Sequence, residues 1–227
     1  GQYLGDLTVT AHAFYCLTGD TKLFRKALMD FAHSTIICEG MMAVAPGSFM
    51  QEIADFSLLY PYQLLLYYQF TQDKDFLREM LPVAEGIEHY FEKFRNENGM
   101  LENVKTKWNL VDWPENLRDN YDFGLFQPVV GDGCHNVINA LYIGMKECIE
   151  EIRDILGTAK ASDAAGLKRA FIESFYDAES GLFRDSTVSA HSSLHANVFA
   201  AFYGIEPEGN RIADFIMEKG LCCGVFV

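Results

Sequence analysis

The sequence predicts an all-α fold, an α/α toroid of helical hairpins, from three observations. Apolar residues recur at helical spacing through most of the 227 residues, and alternating runs long enough for a sheet are missing. Two turns, Thr18-Gly19-Asp20 and Thr71-Gln72-Asp73, each close one helix and offer an acidic N-cap to the next, where free N–H groups need an acceptor. The third is a repeat. Tyr15 through Lys26 (YCLTGDTKLFRK) aligns with Tyr68 through Glu79 (YQFTQDKDFLRE) at an offset of 53 residues, so the repeating unit is one helix pair. This period exceeds the ~34 residues of tetratricopeptide repeats and the ~40–47 of HEAT repeats, which favours a closed ring over an open solenoid.

Element by element, helices are expected over residues 3–17, 20–36, 52–70, 73–95, 134–156, 160–176, 189–203 and 208–219, pairing into four hairpins. In a toroid alternate helices form inner and outer layers, and the inner set would begin near residues 3, 52, 134 and 189. Their aromatic and small residues suit a crowded inner wall. Three connections lead from outer helices to the next inner helices and so collect on one rim, the expected place of a site. They are residues 38–51, the long stretch 96–133, and 177–189, which is a candidate small β-hairpin. The long stretch carries Gly99, Pro114, Gly124, Pro128, Gly131, Gly133 and both tryptophans, and a loop of that length in a compact domain is usually functional or disordered. Its aromatic content argues for function.

Composition narrows the partners. With 49% hydrophobic and 22% charged residues the chain is an ordinary globular one, and 18 basic against 32 acidic side chains leave a formal charge of −14. A nucleic-acid backbone or an anionic membrane would be repelled, so neutral partners are favoured. The apolar stretch 57–68 is interrupted by Pro61 and Gln63 and falls short of the ~20 residues of a membrane span. Six scattered cysteines without CxxC spacing are expected to be reduced thiols, with Cys16 and Cys148 on apolar helical stretches, which suggests a cytoplasmic setting. The first residue is glycine and the last seven are an apolar run, so a piece of a longer protein is expected.

The most informative segment for chemistry is Trp108 through Asn116, in which two indoles flank Asp112. Indole faces stack on the apolar face of a sugar ring while a neighbouring carboxylate takes its hydroxyls. The alternative is that Trp113 plugs the loop onto the helices and Asp112 caps a turn ahead of Pro114. Asp6, Glu52 and Asp55 stand at expected starts of inner helices, where capping alone would explain them. Together with Asp112 they would set several carboxylates around one rim, the raw material for acid and base work on a glycosidic bond. His191 and His195, four apart, would share a helix face and line the inner wall; with no HExxH pattern, no metal is expected. Cys134-His135-Asn136 opens the third inner helix, with Asn136 either facing the cavity or bonding backbone. No nucleotide-binding, nucleophile-elbow or cofactor motif occurs. Two function classes follow: a glycoside-cleaving enzyme, and a non-catalytic helical carbohydrate-binding or scaffold domain.

Three ordered landmarks carry a family resemblance. Gly1-Gln2-Tyr3-Leu4-Gly5-Asp6, Ala54-Asp55 followed by Pro61, and Val111-Asp112-Trp113 resemble those of the α-L-rhamnosidase catalytic domain of inverting glycoside hydrolases. The chain departs from the family pattern at Ala54 and Val111, where glycine is usual, and at Tyr62, where tryptophan is usual. The resemblance implies a six-hairpin glycosidase-like barrel of which about four hairpins are present, residues 1–227 forming part of a single catalytic domain. It also implies a rhamnoside substrate and no cofactor. Asp6, Asp55, Asp112 and Trp113 would then be sugar-binding positions. The general acid would lie just ahead of Gly1 and the general base well after the last helix, leaving residues 1–227 inactive alone.

Overall fold

A computed structural model describes residues 3–38, 40–47, 49–105, 107–113, 115–121 and 132–224. Helix accounts for 58% of them and strand for 8%. The helices are α1 (Leu4–Thr18), α2 (Lys22–Cys38), α3 (Ala54–Ser57), α4 (Tyr60–Thr71), α5 (Lys74–Glu92), α6 (Asn136–Leu156), α7 (Ala164–Phe175), α8 (Leu194–Phe202) and α9 (Ile212–Lys219). Two short antiparallel hairpins interrupt them, β1 (Ala43–Ala45) with β2 (Phe49–Glu52) and β3 (Tyr176–Asp177) with β4 (Leu182–Phe183). The expected all-α hairpin architecture is therefore the one found. The chain divides into two compact units, Gly1–Lys93 with Gly144–Ser162, and Phe94–Ile143 with Asp163–Val227.

In the first unit the 53-residue repeat is a repeat of hydrogen bonds. Gly19 and Gln72 both adopt the left-handed conformation, and their N–H groups bond Tyr15 O and Tyr68 O. Thr18 Oγ1 and Thr71 Oγ1 donate back to Phe14 O and Tyr67 O and accept from Asp20 N and Asp73 N. The acidic caps then accept from the next helix, Asp20 from Lys22 N and Asp73 from Phe76 N. Each tight turn thus satisfies the orphan groups of two helix ends at once.

Packing in this unit follows the same pairing. Tyr15 meets Phe24 edge-on and Tyr67 meets Phe76 in the same way, with centroids 5.2 and 5.0 Å apart. Tyr60 is fully buried and donates to Leu28 O, joining α4 to α2. Gly5 on α1 lies on the Phe56 ring, where an added Cβ would come 2.5 Å from Cε2, and Gln63 donates to Leu4 O and Thr8 Oγ1. One expected helix, 52–70, is split into α3 and α4. Pro61 sits in the first turn of α4 and has no N–H for the carbonyl four residues earlier, so the chain passes 58–59 through bonds from Leu58 N to Asp55 O and Leu59 N to Phe56 O. Cys16 is exposed on α1, contrary to the apolar surroundings expected for it.

An ion cluster whose Lys146 and Arg153 are buried ties α5 to the C-terminal part of α6. Lys146 bonds Glu88 at 2.8 Å, and Arg153 bonds Glu85 at 2.7 Å and Glu88 at 3.3 Å, with Lys160 also on Glu85. Burial pushes the Glu85 carboxyl up, but hydrogen bonds and charge from Arg153 and Lys160 outweigh it and hold the group below its ordinary value. A carboxylate with a depressed folded-state pKa stabilises above the unfolded pKa, and that stability is lost as pH falls through the folded pKa. Glu85→Gln is accordingly expected to cost about 1–2 kcal/mol near neutral pH, with the gap closing below about pH 4. Thermal melts of the two proteins across pH check this; a gap independent of pH would contradict it.

In the second unit two buried asparagines serve as brackets for loop backbone. Asn139 accepts from Leu101 N and donates to Leu101 O and His135 O; Asn197 accepts from Phe183 N and donates to Phe183 O and Ser193 O. Each asparagine stands one turn into its helix and ties down the segment that follows α5 or α7 in the chain. The hairpin expected in 177–189 is β3–β4, whose turn is closed by Asp177 accepting from Glu179 N, Ser180 N and Ser180 Oγ. The helix expected from 189 begins only at Leu194, because Ser193 in extended conformation caps it by accepting from Ala196 N. Among the described residues no helix is long and apolar enough to cross a membrane.

Candidate functional site

The long loop that contains both tryptophans is tied to α8 and α9 by two aspartates. Asp112 is 2% exposed, and its carboxylate collects three donors. Oδ1 accepts from Trp113 N at 2.7 Å, and Oδ2 accepts from His195 Nε2 at 2.8 Å and from Gly224 N at 2.6 Å. Since a carboxylate only accepts, His195 donates to it from Nε2. Seven residues on, Asp119 accepts from Leu194 N at 2.7 Å, the first N–H of α8, and from Lys219 Nζ at 2.6 Å, the last residue of α9. Both contacts suit the helix ends involved, an anion at an N-terminus and a cation at a C-terminus.

The backbone between these anchors is constrained. Val111 has φ 63°, a left-handed conformation that a β-branched residue rarely adopts, and Asp112 N closes a three-residue turn on Leu110 O at 2.7 Å. Gly224 approaches so closely that an added Cβ would overlap Asp112 Oδ1 and come 2.8 Å from Trp113 O. Burial, and then the adjoining Asp112 carboxylate, push the Cys223 thiol up. The outcome of this clamping is the position of Trp113. Its backbone N–H is bonded to Asp112, while the residue is 56% exposed.

The start of α8 is held by a second buried acid. Asp185 is fully buried, accepts from Ser193 N at 2.8 Å and pairs with His191 Nδ1 at 2.7 Å. Burial raises its pKa, opposed by the His191 and Ser193 hydrogen bonds. His191 therefore precedes the helix and serves Asp185, whereas His195 lies within α8 and serves Asp112. The shared helix face expected for the two histidines does not exist, because the helix starts between them. Among the described residues no group of three or more His, Cys, Asp and Glu side chains could hold a metal ion. Asn136 takes the backbone-bonding alternative, its Nδ2 donating to Arg184 O and its N–H to Asp185 O.

Of the residues singled out in the sequence, Asp112 and Trp113 stand together in the second unit. Asp6 and Asp55 belong to the first. Asp6 is exposed in the first turn of α1, and Asp55 is 2% exposed at the start of α3 and accepts from Phe56 N. They adjoin a contacting pair, since Gly5 precedes Asp6, Phe56 follows Asp55, and Gly5 lies on the Phe56 ring. Glu52 ends β2, paired with Ala43, and so does not start a helix. Pro114, Gly124, Pro128 and Gly131 of the long loop lie outside the described residues. His195, Gly224 and Asp119 were not singled out in the sequence as Asp112's partners or as a second anchor.

Solved structures of rhamnosidases share this fold. The structure aligns with the GH78 family rhamnosidase of Bacillus sp. GL1 at a TM-score of 0.82 and 17% identity, covering 97% of this chain and 23% of that one. A Klebsiella oxytoca rhamnosidase with rhamnose bound aligns at 0.74 and 15% identity, covering 97% of this chain and 42% of that one. For the Streptomyces avermitilis α-L-rhamnosidase complexed with L-rhamnose the values are 0.66 and 15%, with 96% and 20% covered. The chain thus spans less than half the length of these relatives. No curated protein matches it in sequence. The sequence profile of the bacterial alpha-L-rhamnosidase 6 hairpin glycosidase domain matches residues 2–219, and the chain belongs to that family.

Proposed function

We propose that the protein carrying this domain removes terminal α-linked L-rhamnose from glycosides by single displacement, and that residues 1–227 supply part of the sugar site. The observation that carries the reading is Trp113, an indole 56% exposed on a loop whose neighbouring carboxylate is buried and triply bonded. An aromatic face held at low entropic cost is what a sugar ring needs to stack on. Asp112 fixes that face. The proton-transfer carboxylates belong to segments outside residues 1–227, one protonating the leaving oxygen and the other activating water across a gap of ~6.5–9.5 Å.

The full-length protein is the material for the test. Given an aryl α-L-rhamnoside, it is expected to release L-rhamnose whose first-formed anomer, followed by proton NMR before mutarotation, is β. Release of the α anomer would refute single displacement. Binding of L-rhamnose without any hydrolysis would favour the non-catalytic carbohydrate-binding alternative.

A further inference from the structure

Resting on the reading of Trp113 as a sugar platform, we propose that His195 is a positioning residue for that site. It holds the Asp112 carboxylate in the one orientation that fixes Trp113. His195 is fully buried on the first turn of α8, and Nε2 reaches Asp112 Oδ2 across 83 residues of chain. Its Nδ1 meets no hydrogen-bond partner among the described residues. The ring therefore makes a single polar contact there, and that contact is with Asp112.

The carboxylate is planar, so its two oxygens turn together. Trp113 N is on Oδ1 while His195 and Gly224 share Oδ2. A rotation that follows the loss of one Oδ2 donor also spoils the Oδ1 bond to Trp113. The turn has reason to relax once loosened, because Val111 is held at φ 63°. Such conformations persist only where the surroundings over-determine them. Asp119, on Leu194 N and Lys219, anchors the loop seven residues away, at a point separate from the Asp112 bond to Trp113 N. His195 thus acts on the sugar through Asp112 and the indole, without touching it.

Two substitutions of similar polarity separate this role from general core filling. In His195→Gln the amide nitrogen reaches the place of Nε2, whereas in His195→Asn it stops at the level of Nδ1. In the full-length protein, calorimetric titration with L-rhamnose is expected to give an affinity within about threefold of the parent for His195→Gln and about tenfold weaker for His195→Asn. Equal affinities in the two variants, whether both high or both low, overturn the inference. The platform reading fails separately, by an undiminished L-rhamnose affinity in Trp113→Ala, and takes this inference with it.

Discussion

Trp113→Ala is expected to weaken L-rhamnose binding by the full-length protein roughly ten- to a hundredfold while leaving its melting temperature within a few degrees of the parent. Covering an aromatic face is worth about 1.5–3 kcal/mol by area, which is about one to two powers of ten in Kd. The stability half of the expectation follows from exposure. With 56% of its surface already in water, the side chain has little burial to lose on truncation. A core tryptophan of the same size would cost about 3–5 kcal/mol. Titration with L-rhamnose and thermal melts on the same two preparations give both numbers. A large fall in melting temperature with unchanged affinity would return Trp113 to the role of a loop plug.

What the sequence revealed and what it hid divide along one physical line. Helix periods, turns and caps are written in residues a few positions apart, so the Gly19-Asp20 and Gln72-Asp73 turns carry their own hydrogen-bonding instructions and the 53-residue repeat survives as repeated geometry. Pro61 was visible too, yet its missing N–H cut an apparently continuous helix, because apolar periodicity runs on through the break. The Asp-Trp pair was legible for its chemistry. Its partners were not, since His195 and Gly224 reach Asp112 across 83 and 112 residues and nothing local in either marks the meeting. The asparagine brackets were hidden for the same reason: Asn139 and Leu101 are 38 residues apart. Val111 shows a different kind of silence. A valine gives no sign of a left-handed backbone, and only the turn closed by Asp112 N imposes one.

The burial of Asp112 leads to the largest stability effect expected in the second unit. Replacing it by alanine strands three donors at once: Trp113 N, Gly224 N and the buried Nε2 of His195. An unsatisfied buried donor costs about 1–3 kcal/mol. These overlapping losses, partly recovered as the loop relaxes, put Asp112→Ala near 3–5 kcal/mol. At about 2–4 °C per kcal/mol for a chain of this size, the melting temperature falls by roughly 6–20 °C. Asp6→Ala is the control, since an exposed first-turn acid is worth only about 0.3–1 kcal/mol to its helix. The comparison also separates two roles for Asp112. If its main work were to take a sugar hydroxyl, the alanine variant would melt close to the parent and lose L-rhamnose affinity alone; if it is the clamp, stability and affinity fall together, because the indole is released along with the carboxylate.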